Sequence, residues 1–341
     1  MHAITIGLDI AKSVFQVHGE DPNGTIAIQK KLRRGDVIAF FRKQPRCLIG
    51  IEACGTSHYW ARTLRSLGHE VRLIPAAYVK PFVKRNKNDA RDAAAICTAL
   101  GRPDMRFVAI KEVEQQASRG LERSRGLLVK QRTQLTNSVR SQLAEFGIIA
   151  AQGKRGFAEL SARVAAGEAD IPSLACEVLH LLIQQIETLT AAIEALEARI
   201  VAIARDDTVM RRLATIPGIG ALTAHAVVSA VGDGRQFSSA RDFAAWCGLT
   251  PRQHATAGKQ QNRGISRQGD DSLRKLFALG ASNLMRHARS RTDRATEWQR
   301  GILARRPVKV AVLAQAAKNA RIAWALLVSG ETYRRATPAA V

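Results

Sequence analysis

Aromatic residues make up 5% of the 341 positions, acids are scarce, and there are five cysteines and ten prolines. Each shortage excludes something. Few aromatics disfavour a protein that grips single strands by stacking their bases. Cys47, Cys54, Cys97, Cys176 and Cys247 lie far apart with no CxxC pair. That argues against a zinc ribbon and a disulfide framework and fits a reducing cytoplasm. The histidines show no HxH or HExxH spacing, so no imidazole metal site is assigned. No apolar run approaches the roughly 18 residues of a membrane helix. The start, MHAITIGLDIAKSVF, has no basic region, and Asp9 and Lys12 interrupt its apolar run, so it does not read as a signal peptide.

What is present is ordinary globular material, 46% hydrophobic and 24% charged, carrying an abnormal charge. Fifty-two Lys and Arg against 29 Asp and Glu give a net +23, which costs self-repulsion unless a polyanion offsets it, and nucleic acid leads the polyanions. The excess is uneven: residues 1–110 are net +9, residues 111–205 net +1 and residues 206–341 net +13. Two basic ends around a near-neutral middle suggest two nucleic-acid surfaces joined by a connector or oligomerisation element. The bland alternative is that the basic ends only aid solubility.

Residues 1–110 alternate strand and helix signals. AITIGLD, SVFQVHG and TIAIQKK read as three strands, GDVIAFFRK as a helix and CLIGIE as a buried strand. SHYWARTLRSLG then reads as an amphipathic helix, EVRLIP as a strand and DARDAAAICTAL as an Ala-rich helix. The order implies an α/β domain with a mixed sheet and helices on its faces. The middle reads as helix over 113–146, a loop over 147–156 and a second break over 165–173. Leu179, Leu182, Ile186, Leu189, Ile193, Leu196, Ile200 and Ile203 then step by alternating threes and fours. That is an a/d seam, pointing to a coiled-coil partner, either a second protomer or the 113–146 helix of the same chain. The last third opens with helix, IPGIG turn, helix, the pattern of a helix-hairpin-helix, in which Gly218 and Gly220 let backbone N–H groups approach a phosphate. A purely structural turn is the alternative. PRQHATAGKQQNRG reads as a loop, and 308–328 as a final helix with Val310, Leu313, Ala317, Ala320, Trp324 and Leu327 on one side. Trp60 and Trp246 read as core residues rather than base-stacking platforms.

Among so few acids, four are placed to converge. Asp9 ends the first strand and Glu52 the apolar strand CLIGIE, while Asp89 and Asp92 share a face at the start of the Ala-rich helix. Singly, each has a bland reading, Asp89 as a helix cap for instance. Together their repulsion calls for divalent cations, and Mg²⁺ or Mn²⁺ suit oxygen ligands. Two such ions suit in-line displacement at a phosphodiester. Lys80, Lys84, Arg85, Lys87 and Arg91 lie beside the Asp pair and supply phosphate contacts.

GLDIAK, IEACG and KNDARDA, followed by IPGIG, FSSARDFAAWCGLTPRQ and the GKQ, RGISRQGD and LRKLF segments, carry a resemblance. The chain resembles the DEDD (RuvC-like) transposases of the bridge-RNA (seekRNA)-guided insertion sequences, relatives of the Piv-type DNA invertases. ARRPVKVAVLAQAAKNARIAWALLVSGETY resembles the end of one large subgroup, so the likeness covers nearly the whole chain. The resemblance implies a ribonuclease-H-like catalytic domain over 1–110, a coiled-coil connector and oligomerisation element over 111–205, and a mainly α transposase domain over 206–341. It implies that Asp9, Glu52, Asp89 and Asp92 bind divalent metal, and that a loop hydroxyl attacks DNA to give a covalent intermediate. It further implies a cytoplasmic homo-oligomer, dimer or tetramer, with active sites composed from different protomers, acting on donor and target DNA chosen by an element-encoded guide RNA.

The chain departs from the family at the nucleophile. The family's serine, five residues after the proline of PRQHATAGK, falls on Thr256, with Ala255 before it. Threonine keeps the hydroxyl but adds a methyl that restricts χ1. Ser266 of GISRQG is the fallback. Arg252, Lys259, Arg263 and Arg267 are placed to contact phosphate, and His254 is a weaker base or phosphate contact; the alternative is a solvated basic loop. Two rivals to the recombinase are a RuvC-like metal-dependent nuclease or junction resolvase without a covalent step, and a non-catalytic nucleic-acid scaffold.

Overall fold

The computed structural model describes residues 4–83, 89–168, 170–256, 259–290 and 296–334, with the side chains of 254–256 and 259–263 not described. The chain divides into two compact units, Met1–Gln116 and Ala117–Val341.

The first unit is built on a five-stranded sheet. Its elements are β1 (Thr5–Ile10), β2 (Val14–Glu20), β3 (Ile26–Arg33), α1 (Val37–Arg42), β4 (Leu48–Glu52), α2 (Ser57–Ser66), β5 (Glu70–Ile74), the one-turn α3 (Ala76–Val79) and α4 (Asp89–Leu100). The order β3-β2-β1-β4-β5, with β1 antiparallel to β2 and parallel to β4, gives the mixed sheet expected of a ribonuclease-H-like domain. Alternation along β1 sorts its side chains. Ile6 and Leu8 join Phe15, Phe41, Ile49, Ile51, Trp60 and Leu64 in the core under α1 and α2. Gly7 lies on the opposite face, where a Cβ would fall 2.1 Å from Ala93 O and 2.6 Å from Cys97 N. Gly50 on β4 packs likewise beneath Ile96 and Leu100. These two missing side chains let α4 lie directly on the sheet, with Ala95, Ile96, Ala99 and Leu100 buried. The chain after α4 ties back to α2, where Lys111 N donates to His58 Nδ1 at 3.1 Å.

The second unit is mostly helical: α5 (Val113–Ala144, whose first residues close the first unit), α6 (Lys154–Ala165), α7 (Ser173–Asp206), α8 (Thr208–Ala214), α9 (Ala221–Val231), α10 (Ala240–Trp246), a hairpin of β6 (Pro251–Thr256) and β7 (Lys259–Ile265), α11 (Asp271–Ser290), α12 (Glu297–Arg305) and α13 (Val308–Ser329). The α7 seam is covered within its own chain: Leu179, Ile183 and Ile186 pack with Val139 and Leu143 of α5 and Leu160 and Val164 of α6. Farther along, Arg125 of α5 pairs with Glu197 at 2.5 Å, so the two helices run antiparallel. A second core joins α8–α11 and α13 through Leu213, Val227, Phe243, Phe277, Ala316, Ala320 and Ala323.

Three expectations are corrected. PRQHATAGKQQNRG carries an antiparallel pair of strands rather than a loop, because Pro251 pairs with Ile265 and Thr256 with Lys259. Residues 154–156, read as loop, begin α6, where Gly156 fits because a Cβ would strike Ala151 O at 1.8 Å. The buried face of α13 holds the expected Ala320 and Leu327 together with Ala311, Gln315, Ala316, Asn319, Ala323 and Leu326, while Val310 is exposed. Small alanines allow close helix approach and the two amides satisfy each other at 2.7 Å, so apolarity alone misplaces this face.

Candidate active site and nucleic-acid contacts

The strand alternation that puts Ile6 and Leu8 in the core turns Asp9 toward α4, and the same alternation turns Glu52 of β4 that way. β1 and β4 are neighbours whose last paired residues are Leu8 and Ile51, so Asp9 and Glu52 leave the sheet side by side at its carboxyl edge. Ligands of open α/β sheets gather at such an edge. Because Gly7 seats α4 on the sheet, the first turn of α4 arrives there too. Carboxylate oxygens of Asp9, Asp89 and Asp92 lie within 4.8 Å of one another, Asp9 and Asp92 half-buried and Asp89 exposed.

Glu52 is not in that tight group but shares its field. The Cys54 thiol, two residues on, is pushed up first by burial and then by the charges of Glu52 and Asp9. The turn between them is held by Ala53 N donating to Ile74 O at 2.8 Å and the Ser57 hydroxyl donating to Cys54 O at 2.9 Å. Thr56 there has φ 71°, a left-handed conformation that a β-branched residue adopts only under constraint.

The donor set fits a divalent cation. All three grouped donors are carboxylate oxygens, with neither nitrogen nor sulfur among them. Oxygens sharing one octahedral ion at about 2.1 Å stand about 3–4 Å apart, which small rotamer changes reach from the observed spacing. Like charges this close otherwise repel strongly. Of the basic residues placed near the acids, Lys80 and Arg91 are exposed beside α4. Lys84, Arg85 and Lys87 lie outside the described residues.

In the second unit the hairpin carries Thr256 as the last residue of β6, paired with Lys259. The side chains of His254, Thr256, Lys259 and Arg263 lie outside those described. Arg252 is exposed and its Nη2 donates to Ser266 O at 3.4 Å. Ser266 Oγ is buried without a hydrogen-bond partner among the described residues. Arg267 is exposed with φ 56°, the second non-glycine residue in the left-handed region beside Thr56. The hairpin base is tightly built. A Cβ on Gly248 would lie 2.2 Å from Gln268 O, and one on Gly269 1.8 Å from Trp246 O. Arg274 donates to Gln268 O at 3.2 Å, and Asp270 caps α11 by accepting from Leu273 N at 2.9 Å.

The IPGIG turn is equally constrained. Gly218 has φ +83°, and its carbonyl oxygen would lie 1.8 Å from a Cβ on Gly280, so neither position tolerates a side chain. Gly220 is the N-cap of α9. Asn319 Nδ2 donates to Pro217 O at 3.0 Å, and a chain of amides continues through Gln315 to Gln299 of α12.

The sequence reading missed a buried polar cluster on the first turns of α5. Ser118, Arg119 and Glu122 meet His225 and Asp270 there. No local motif marks it, since the α5 residues stand 103 or more positions from the partners they bond.

Residues 6–148 match a family described as "Transposase", the DEDD transposases of the IS110 type, and residues 210–296 match the family described as "Transposase IS116/IS110/IS902 family". A "Probable family 20 transposase" of Pseudomonas aeruginosa is 47% identical over 98% of this chain and 99% of its own length. The "Transposase for insertion sequence element IS1328" of Yersinia enterocolitica is 38% identical over 97% of this chain and 98% of its own length. A "Pilin gene-inverting protein" of Moraxella bovis is 46% identical over 72 residues, 20% of this chain and 22% of its own length.

Proposed function

Since the chain belongs to the IS110/IS116/IS902 family of transposases, enzymes that cut and rejoin DNA, we propose that Asp9, Glu52, Asp89 and Asp92 form its metal-holding site and Thr256 its nucleophile. The observation that carries this reading is the convergence of Asp9, Asp89 and Asp92 within 4.8 Å. Bound Mg²⁺ or Mn²⁺, two ions per site, would neutralise the acids and stabilise charge on the phosphodiester oxygens. Asp9 and Glu52 are fixed by the sheet edge and Asp89 and Asp92 by the helix, so the ligands are set before DNA arrives.

The Thr256 oxygen attacks phosphorus as its proton leaves to solvent. A threonine–phosphate ester forms, the bond from phosphorus to the leaving nucleotide oxygen breaks, and that oxygen takes up a proton. Attack by another strand end reverses the ester and rejoins DNA. Arg252, Lys259, Arg263 and Arg267 on the hairpin, Lys80, Lys84, Arg85, Lys87 and Arg91 beside the acids, and Gly218 and Gly220 at a helix-hairpin-helix turn contact the backbone. The protein works in the bacterial cytoplasm as a homo-oligomer, dimer or tetramer, with the connector helices contributing a coiled coil. A guide RNA encoded beside its gene selects donor and target, and the short likeness to a pilin gene-inverting protein supports kinship with the Piv-type invertases.

Asp9→Ala and Thr256→Ala are expected to lose strand exchange while retaining nucleic-acid binding. Sequencing RNA that co-purifies with the protein tests guidance: a discrete species encoded beside the gene supports it, and random cellular RNA contradicts it. A second reading, a metal-dependent nuclease without a covalent step, is favoured by one feature, the threonine at the family's serine position. A trapped protein–DNA adduct excludes it.

A further inference from the structure

We propose that the outer face of α11 is a binding surface for the phosphate backbone of a nucleic-acid strand, formed by Ser282, Asn283, Arg286, Arg289 and Ser290. α11 buries Leu273, Phe277, Ala281, Met285 and Ala288. The five proposed residues are all exposed and fall on its other side. Two open grooves meet on this face. One, of about 770 Å³, lies between it and the segment Gly218–Thr223. The other, of about 460 Å³, lies between it and Val308 and Val312 at the start of α13. They share Ser282 and Arg286, so they adjoin along the helix.

The chemistry of the two grooves is one-sided. Among the described residues, no acidic side chain lines either groove. The ion pairs of α11 among the described residues lie in its first turn, Asp271 with Arg274 and Lys275. Arg286 Nη2 donates to Asn283 Oδ1 at 2.7 Å, a neutral neighbour, and Arg286 has no ion pair among the described residues. Hydroxyl, amide and guanidinium donors are the groups that hold phosphate oxygens without reading bases. Both grooves also open onto helix starts that lack a side-chain cap, α9 at Gly220 and α13 at Pro307. The positive end of each helix dipole favours anions, adding to the arginines.

The dimensions suit a strand. From Ser282 to Arg289 the helix rises about 10 Å, which spans about three nucleotide steps at 3.4 Å each. Leu279, 70% exposed, lies in the larger groove and offers an apolar patch to a sugar ring. The surface belongs to neither the acid cluster nor the Thr256 hairpin, and it rests on the transposase reading only for why a strand should be there.

The test is equilibrium binding of the full-length protein to a random-sequence DNA duplex and, separately, to an RNA hairpin, over a range of salt concentrations. The variant is Arg286→Gln with Arg289→Gln. The control is Arg199→Gln with Arg205→Gln, which removes the same charge from exposed positions on α7. The α11 variant is expected to bind about ten-fold or more weaker than the control, with the slope of log K against log salt reduced by about 2. Loss confined to DNA assigns the surface to donor or target, loss confined to RNA assigns it to a guide, and loss on both assigns it to any backbone. Equal binding of variant and control to both ligands overturns the proposal. Asp92→Ala, measured in parallel for binding and strand exchange, tests the catalytic reading separately. Normal exchange in that protein defeats the catalytic reading without touching the α11 result.

Discussion

Glu122 of α5 and His225 of α9 meet at 2.6 Å in an interior that leaves His225 0% and Glu122 3% exposed. With Nδ1–H donating to Glu122, the other ring nitrogen accepts from the Ser118 hydroxyl at 2.8 Å. One residue on, Arg119 pairs with Asp270, the cap of α11 at the foot of the Thr256 hairpin. One end of α5 is thus bolted by buried polar contacts to α9 and α11, and the hairpin springs from the bolted base.

Glu122→Ala would leave an imidazole N–H buried without an acceptor and is expected to destabilise by about 2–4 kcal/mol. Glu122→Gln keeps an acceptor and should lose about 1 kcal/mol. Chemical denaturation checks this against Glu187→Ala, an exposed glutamate on α7. An equal midpoint for Glu122→Ala and Glu187→Ala would show that the pair contributes nothing.

Thiol reactivity reports whether the acids face one another. Burial pushes Cys47 up to about 11 and Cys97 up to about 12, and raises Cys247 as well, whereas Cys54 is exposed. Iodoacetamide at pH 8 is therefore expected to modify Cys54 before Cys47, Cys97 and Cys247. The thiolate is the reactive form, and the carboxylates of Glu52 and Asp9 disfavour it. Removing either charge lowers the thiol pKa and raises the thiolate fraction, so Asp9→Asn and Glu52→Gln should each speed alkylation roughly two- to five-fold. Unchanged rates in both variants would place the two acids away from the loop.

The hydroxyl at position 256 separates the covalent from the hydrolytic reading. Thr256→Ala should lower strand exchange by at least about a thousand-fold, as loss of a nucleophile does elsewhere. Thr256→Ser keeps the oxygen and sheds the methyl, so it should exchange strands at least as fast as the parent. Normal exchange by Thr256→Ala would remove Thr256 from the mechanism.

Much of the first unit was legible because its signals are local. DARDAAAICTAL coincides with α4, and β1 to β5 fall where the apolar runs lie. The strand-end and helical positions of Asp9, Asp89 and Asp92 were legible in the same way, while Glu52 lies outside their 4.8 Å group. What was hidden depends on partners distant in sequence. The glycines that seat α4, Gly7 and Gly50, look like ordinary strand glycines until Ala93, Cys97 and Leu100 are placed over them. The β6–β7 hairpin has too little apolar alternation to announce itself, and α13 buries two amides where a hydrophobic stripe was expected. Glu122 and His225 stand 103 residues apart, and no local pattern joins them.

The account stands most directly on divalent-metal-dependent DNA cutting by the acid cluster. The decisive measurement is cleavage of a supercoiled plasmid carrying the element's ends, by protein purified with whatever RNA it retains, in Mg²⁺ or in EDTA, for the parent chain and for Asp89→Asn with Asp92→Asn. Cutting by the parent in Mg²⁺ alone, with none by the double variant, is the predicted result. Parental rates from the double variant, or undiminished cutting in EDTA, would contradict it.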